Sequence, residues 1–176
     1  MTENPEFKFC LNDDLSELCE KHYNKYKPED FLPQRSYDTD TGWDVRCAIE
    51  DDIDTQDLIY HHGKNDTFLK IPLGFRIFSP KGWWLNLHPR SSTFAKKFLV
   101  GLVGIIDESY EGKVYFGCKF DPECPNVTLR FGDKIGQLIP IKREIMKVTS
   151  ITKEELDLLC KNRNAERGSG GFGSTG

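Results

Sequence analysis

Along most of the chain apolar and polar positions change over too quickly for long helices. Near the start, EFKFCL alternates apolar and polar side chains, the period-two signature of a half-buried strand. The next segment, DDLSELCEKHYNKY, changes period: Leu15, Leu18 and Cys19 fall at helical spacing behind an Asp cap. Pro28 and Pro33 then bracket a connector. From residue 43 short strand-like runs follow one another: WDVRCAIE, TFLKI, FRIFS, WWLNLH, FLVGLVGII, KVYFGCKF, VTLRF, KIGQLIPI and IMKVTSI. Turn-forming SPKG, DESYEG and FGDK separate them. Many short strands with close turns predict an all-β sandwich or barrel. Thr152 and Glu155 make a capping-box pattern ahead of ELDLLCK, which predicts a short helix before the glycine-rich ERGSGGFGSTG.

Composition narrows this picture. The 176 residues suit one domain. Only 38% are apolar and 30% are charged, with a mean hydropathy of -0.54, so the core is economical, completed by other subunits or partly replaced by extended arms. No apolar run approaches the ~18 residues of a membrane span. The start, MTENPEFKFC, lacks the pattern of a signal peptide, so the expectation is a soluble protein of the cytoplasm or nucleus, not a secreted one. With 24 basic against 28 acidic residues the net charge is -4, which gives no general attraction for duplex nucleic acid. The six cysteines form no CxxC pair and read as reduced, structural thiols. Glu50, Asp51, Asp52 and Asp54 lack the alternation of a calcium loop and read as a solvated loop. His61 and His62, adjacent in a polar stretch, point in different directions and read as surface loop.

Five segments carry residue types suited to chemistry. In HPRSST, Arg90 with Ser91 and Ser92 offers a guanidinium and two hydroxyls that suit phosphate oxygens; a polar turn after a strand accounts for the same residues. In GIIDESYEG a strand runs into Asp107, Tyr110 follows, and Gly112 opens the returning strand, a hairpin pattern with an Asp-capped turn. RFGDKIGQL sets Arg130, Asp133 and Gln137 around a turn, and TGWDV places Asp44 at a strand start. The tail differs in kind. Five of the 15 glycines fall in the last nine residues, behind Arg167. Glycine removes the Cβ obstacle, so backbone N–H groups can approach an anion closely. No Walker GKS/T is present. An arm that orders over a polyphosphate and a disordered linker end are both compatible with this composition. Phe172 favours the arm, because a flat nucleobase offers the stacking partner that its glycine neighbours do not.

In this order the five segments resemble the five motifs of trimeric deoxyuridine triphosphatases: TGWDV the first, HPRSST the second, VGIIDESYEG the third, RFGDKIGQL the fourth and RGSGGFGSTG the fifth. The resemblance implies an all-β fold, a distorted jelly-roll β-barrel, in a homotrimer with active sites at the subunit interfaces. It divides the chain into a β domain over 1–163, with helical insertions at about 12–27 and 150–163, and a glycine-rich arm over 164–176 that closes over a neighbour's site. The implied reaction is dUTP plus water giving dUMP and pyrophosphate, by in-line water attack on the α-phosphate. It keeps dUTP low and supplies dUMP for thymidylate synthesis.

Carried over position by position, Asp107 falls at the water-activating carboxylate. Tyr110 falls where a ring packs under the deoxyribose and leaves no room for a 2′-hydroxyl. Backbone groups around Gly104, Ile105, Ile106 and Tyr115 fall where uracil's edge is read; cytosine would set a donor against a donor there. Arg90, Ser91 and Ser92 match phosphate contacts, with Gln137 near the phosphates or the water. Arg167 matches the arginine against the terminal phosphate and Phe172 the ring stacked on uracil, with Gly173 beside it. Asp44 and Asp133 match supporting networks. Mg²⁺ is implied, bound mainly by the three phosphates and waters rather than by protein ligands.

Departures from the pattern matter as well. Ser92 stands where the family commonly has glycine. The two inserted segments map onto no motif, and the expectation is that they decorate the trimer surface or lengthen the arm's reach, which leaves room for a further protein partner. The related dCTP deaminases share RSS but carry a glutamate on the returning strand. Here KVYFGCKF has no carboxylate until Asp121, and TFAKK follows RSS without the deaminase arginine.

Overall fold

The period-two runs pair into two four-stranded antiparallel sheets in the computed structural model, which describes residues 4–54, 68–121 and 127–163. In chain order the elements are β1 (Lys8–Leu11), α1 (Leu15–Lys21), a 3-10 turn (Pro28–Phe31), β2 (Trp43–Arg46), β3 (Ile53–Asp54), β4 (Phe68–Phe78) and β5 (Trp83–Pro89). There follow α2 (Ser91–Lys97), β6 (Leu99–Gly101), β7 (Gly104–Ile106), β8 (Lys113–Phe120), β9 (Thr128–Leu129), β10 (Lys134–Lys142) and α3 (Lys153–Asn162). The first sheet has the order β1-β4-β8-β6, the second β2-β10-β5-β7, and β3 with β9 forms a two-stranded ribbon. Their inner faces share one core, in which Phe75, Phe116, Phe120, Leu87 and Ile135 are almost wholly buried. Gly136 lets the layers close: a Cβ there would lie 3.1 Å from Phe116 and 3.2 Å from Leu87.

The chain divides into two units, Met1–Arg143 and Glu144–Gly176. In the second, α3 begins with a reciprocal cap: Glu155 N donates to Thr152 Oγ1 at 3.2 Å and Thr152 N donates to Glu155 Oε2 at 2.7 Å. Every described residue of this unit is exposed.

Several readings of the pattern need correction. IMKVTSI forms no strand, because alternation makes a strand only where a partner supplies the ladder. TFLKI and FRIFS merge into β4, interrupted by a shift of register between Pro72 and Arg76 where Gly74 takes φ +84°. FLVGLVGII splits between sheets: β6 pairs with β8, whereas β7 pairs with β5. Arg90–Ser91–Ser92 leads into a helix, α2, rather than a plain turn.

The inserted segment at 12–27 packs one face into the core, while most of its residues stay exposed. Leu15 is 1% exposed and Cys19 is 2% exposed. The irregular turn of β4 receives the segment: Asn12 N donates to the Gly74 carbonyl at 2.9 Å. Asp14 holds the cap position without a side-chain cap bond; its carboxylate lies 3.5 Å from Lys113 Nζ. Nor is 50–54 simply solvated, since Lys21 Nζ reaches Glu50 at 3.2 Å and Asp51 at 2.9 Å, and Phe131 N donates to Asp52 Oδ1.

The five described cysteines are free thiols. Burial pushes the Cys47 and Cys118 thiols up to about 12, so both stay protonated at neutral pH.

Candidate active site

Register brings the first, second and fourth motifs to one end of the second sheet. Asp44 on β2 lies opposite Gln137 on β10, which lies opposite His88 on β5, and Arg90 follows two residues later. The Asp44 side chain is only 12% exposed, and cations hold both of its oxygens: Arg90 Nε at 2.6 Å and Lys134 Nζ at 3.0 Å. Ion pairs this shielded from water are stronger than exposed ones and fix the guanidinium in place. Gln137 donates through Nε2 to the Pro89 carbonyl at 3.3 Å. Gly42 explains its place in TGWDV here, because an added Cβ would meet Gln137 Oε1 at 2.2 Å.

A second tier of bonds braces this cluster. Thr93, 1% exposed, accepts from Arg90 N at 3.0 Å and donates to the Ile135 carbonyl at 2.7 Å, tying the start of α2 to β10. Lys97, in the last turn of α2, pairs with Asp133. Asp133 also closes its own turn by accepting from Arg130 N at 2.9 Å. Ser91 and Ser92 open α2 beside Arg90, and both keep some exposure.

The third motif runs from the middle of the sheet, where Gly104 lies opposite Leu87, to the opposite end at Asp107. Asp107 is exposed just past β7, and Tyr110 N donates to its carbonyl at 3.1 Å. The Tyr110 hydroxyl donates to the Lys113 carbonyl at 2.7 Å, and its ring lies so close to Gly112 that an added Cβ would stand 2.5 Å from the phenolic oxygen. The two limbs of this turn do not form the expected hairpin. Gly104–Ile106 belongs to the second sheet as an edge strand and Tyr115 to the first, so the segment is an arch between layers. Among the described residues one edge of β7 has no strand neighbour, which leaves that side of the strand open to pairing. Glu108 fixes the arch by accepting from Gly82 N at 2.9 Å and pairing with Arg143 at 3.2 Å. A cleft of about 640 Å³ opens beside Asp107, lined also by Lys81, Trp84, Ile105, Glu108 and Arg143.

Within one chain the two ends are far apart. Ile106 pairs with Leu85, and Arg90 lies five residues beyond Leu85, roughly 17 Å along a strand. Asp107 and Arg90 of the same chain are therefore not brought together. Arg167, Phe172 and Gly173 lie outside the described residues, as do His61, His62 and Cys124. The pattern alone missed Thr93, Lys97, Lys134, Glu108 and Arg143. Lys134 follows Asp133 within the fourth motif; it lies opposite Arg46 in the register, and only the folded side chain shows that its ammonium reaches Asp44.

Fold and site define the class first: an all-β protein of jelly-roll type with a fixed cationic cluster at one end of a sheet and an exposed carboxylate arch at the other. The dUTPase family model matches residues 30–176, and the chain belongs to the dUTPase family. It is 31% identical over 148 residues to the deoxyuridine 5′-triphosphate nucleotidohydrolase of Mycolicibacterium vanbaalenii, covering 82% of this chain and 87% of that protein. The enzyme of the same name from Debaryomyces hansenii is 31% identical over 145 residues, covering 82% and 80%. Among solved structures, a mutant dUTPase of Staphylococcus bacteriophage 80alpha with dUpNHpp superposes with a TM-score of 0.68 at 19% identity, covering 97% of this chain and 98% of that one.

Proposed function

We propose that this protein hydrolyses dUTP to dUMP and pyrophosphate in active sites assembled between the subunits of a homotrimer. One observation carries the assembly. The carboxylate arch and the cationic cluster of a single chain stand farther apart than the α- and γ-phosphorus of one triphosphate. A copy of the chain that supplies its Arg90 end to its neighbour's Asp107 end completes the site. The sparse apolar content agrees with surface buried between subunits.

Each half has a distinct task. Asp107, exposed on its turn, accepts a proton from a water facing the α-phosphorus. The edge of β7 presents backbone groups to uracil, and a slot built to pair with a carbonyl acceptor rejects cytosine's amino group. Tyr110 is held by its bond to Lys113 and by contact with Gly112, so its ring forms a fixed floor under the deoxyribose. Arg90, with Ser91 and Ser92, meets the phosphates, and Asp44 and Lys134 keep the guanidinium aligned before the nucleotide arrives, which spares reorganisation in the transition state. The arm over 164–176, with Arg167 against the terminal phosphate and Phe172 on the base, excludes water. Both Asp44 oxygens are already taken by cations, so the donor set fits Mg²⁺ held chiefly by triphosphate oxygens and retained waters. The ion would neutralise phosphate charge when bound.

Mixing two inactive variants tests the reading. Asp107→Asn and Arg90→Ala trimers, each nearly silent in pyrophosphate release from dUTP, should regain activity when unfolded together and refolded, because some mixed interfaces unite an intact Asp107 with an intact Arg90. No recovery in trimers shown to be mixed would refute the shared site. Preferential consumption of dCTP would refute the substrate.

A further inference from the structure

The amino-terminal segment that maps onto no motif meets the fourth-motif turn directly. Gly132, in that turn, takes φ +80°, and a Cβ added there would stand 2.1 Å from Tyr26 Cε2. The backbone of the turn therefore rests on the Tyr26 ring. That ring packs edge-on to Phe31 and Phe131, each at 6.1 Å between centroids. From the same segment His22 stacks on Phe131 at 4.3 Å and 3°, so two of its rings bear on the turn. Arg46 completes the contact: its guanidinium lies 5.0 Å from the Tyr26 centroid, and it donates to the Gly132 carbonyl at 2.8 Å and the Asp30 carbonyl at 3.2 Å.

The residues that follow Gly132 are those that hold the cationic cluster. Asp133 pairs with Lys97 of α2, the helix that Arg90 precedes. Lys134 pairs with Asp44, and Asp44 with Arg90. Ile135 takes the Thr93 bond. A shift of the turn at Gly132 displaces all three connections together, since they arise from consecutive residues.

We propose that Tyr26 is a positioning residue for the phosphate-binding end: its ring sets the height of the Gly132 turn and, through Asp133, Lys134 and Ile135, the alignment of Arg90. The inference rests on the reading that Arg90 meets the phosphates. It predicts that perturbing Tyr26 weakens recognition of the triphosphate but not of the nucleoside, because the arch around Asp107 and Tyr110 lies at the far end of the sheet.

The test compares Tyr26→Ala, Tyr26→Leu, Tyr26→Phe and Arg90→Ala by calorimetric binding of dUpNHpp and of dUMP, and by KM and kcat for dUTP, in protein shown to be folded and assembled. Tyr26→Ala should weaken dUpNHpp about tenfold, with dUMP affinity held, and raise KM more than it lowers kcat. Tyr26→Phe keeps the ring and should behave as the unmodified protein. Tyr26→Leu keeps apolar bulk without a flat face for Arg46; should the alanine variant fail to fold, its selective loss of dUpNHpp affinity supports the proposal. Folded Tyr26→Leu with an unchanged ratio of dUpNHpp to dUMP affinity, or with both lost equally, overturns it. If Arg90→Ala itself leaves dUpNHpp affinity intact, the reading of the phosphate end fails instead, and the two failures are told apart.

Discussion

At one end of the second sheet Asp44 is 12% exposed and gripped by two cations, whereas at the other Asp107 stands exposed on an arch tied down by its neighbour Glu108. On the function proposed above, the difference follows from what each end meets. Phosphates bring dense negative charge, and cations facing it must be held apart from one another and aimed in advance; a half-buried carboxylate between Arg90 and Lys134 does both. A general base must instead reach a water and release its proton again, and an exposed carboxylate meets both needs. The cationic end is held by ion pairs within the chain, whereas at the arch Tyr110 and Glu108 are bonded and the Asp107 side chain stands exposed.

The largest effect that separates the two halves is expected at the base. Asp107→Asn should lower kcat about 10³-fold while dUpNHpp binds as before, because the change keeps size and loses only the proton acceptor. Retained turnover, measured as pyrophosphate release, would remove Asp107 from the mechanism. At the other end Asp44→Asn leaves Arg90 and Lys134 with a weaker partner. It should cost about 1–3 kcal/mol of stability by urea denaturation and weaken triphosphate binding more than dUMP binding. Equal loss of both ligands would show that the two ends are not separate.

Smaller effects sharpen the contrast. Tyr110→Ala should narrow the preference for dUTP over UTP about tenfold, read as the ratio of kcat/KM values, with little change in assembly. A separate effect concerns the core both ends share. Cys47 and Cys118 hold their protons up to about 12, above the ordinary 9.0 of a thiol. Below pH 9 they are protonated both folded and unfolded, and their contribution to stability is fully present. Between pH 9 and 12 only the unfolded chain loses these protons, so stability falls by about 1.4 kcal/mol per pH unit for each thiol. Urea midpoints at rising pH should show this decline, and Cys118→Ala should make it shallower.

Much of the fold was legible because alternation is a local signal. KVYFGCKF shows it plainly, and β8 buries Val114, Phe116, Cys118 and Phe120 on one face. The same rule misled at IMKVTSI, where the alternation is present and no partner strand is. α2 was hidden for the opposite reason. SSTFAKK buries only Thr93, so no apolar stripe marks a helix that polar bonds hold to β10. In the site, Asp44, Arg90 and Gln137 could be singled out by residue type, but Lys97 and Glu108 could not. Each matters through a partner distant in sequence, Asp133 for one and Gly82 and Arg143 for the other.

By itself the sequence determined five short motifs in a fixed order, with Gly112 two residues past Tyr110, where a side chain would strike its ring. Those are local demands, written as residue type and spacing. Only the tertiary structure decided that β7 leaves its hairpin for the other sheet, that Gly42 lies against Gln137 and Tyr26, beyond the first helix, against the Gly132 turn, and that Asp107 and Arg90 of one chain stand at opposite ends of a sheet. Such relations come from strand register and layer packing between residues far apart along the chain, and no local pattern encodes them.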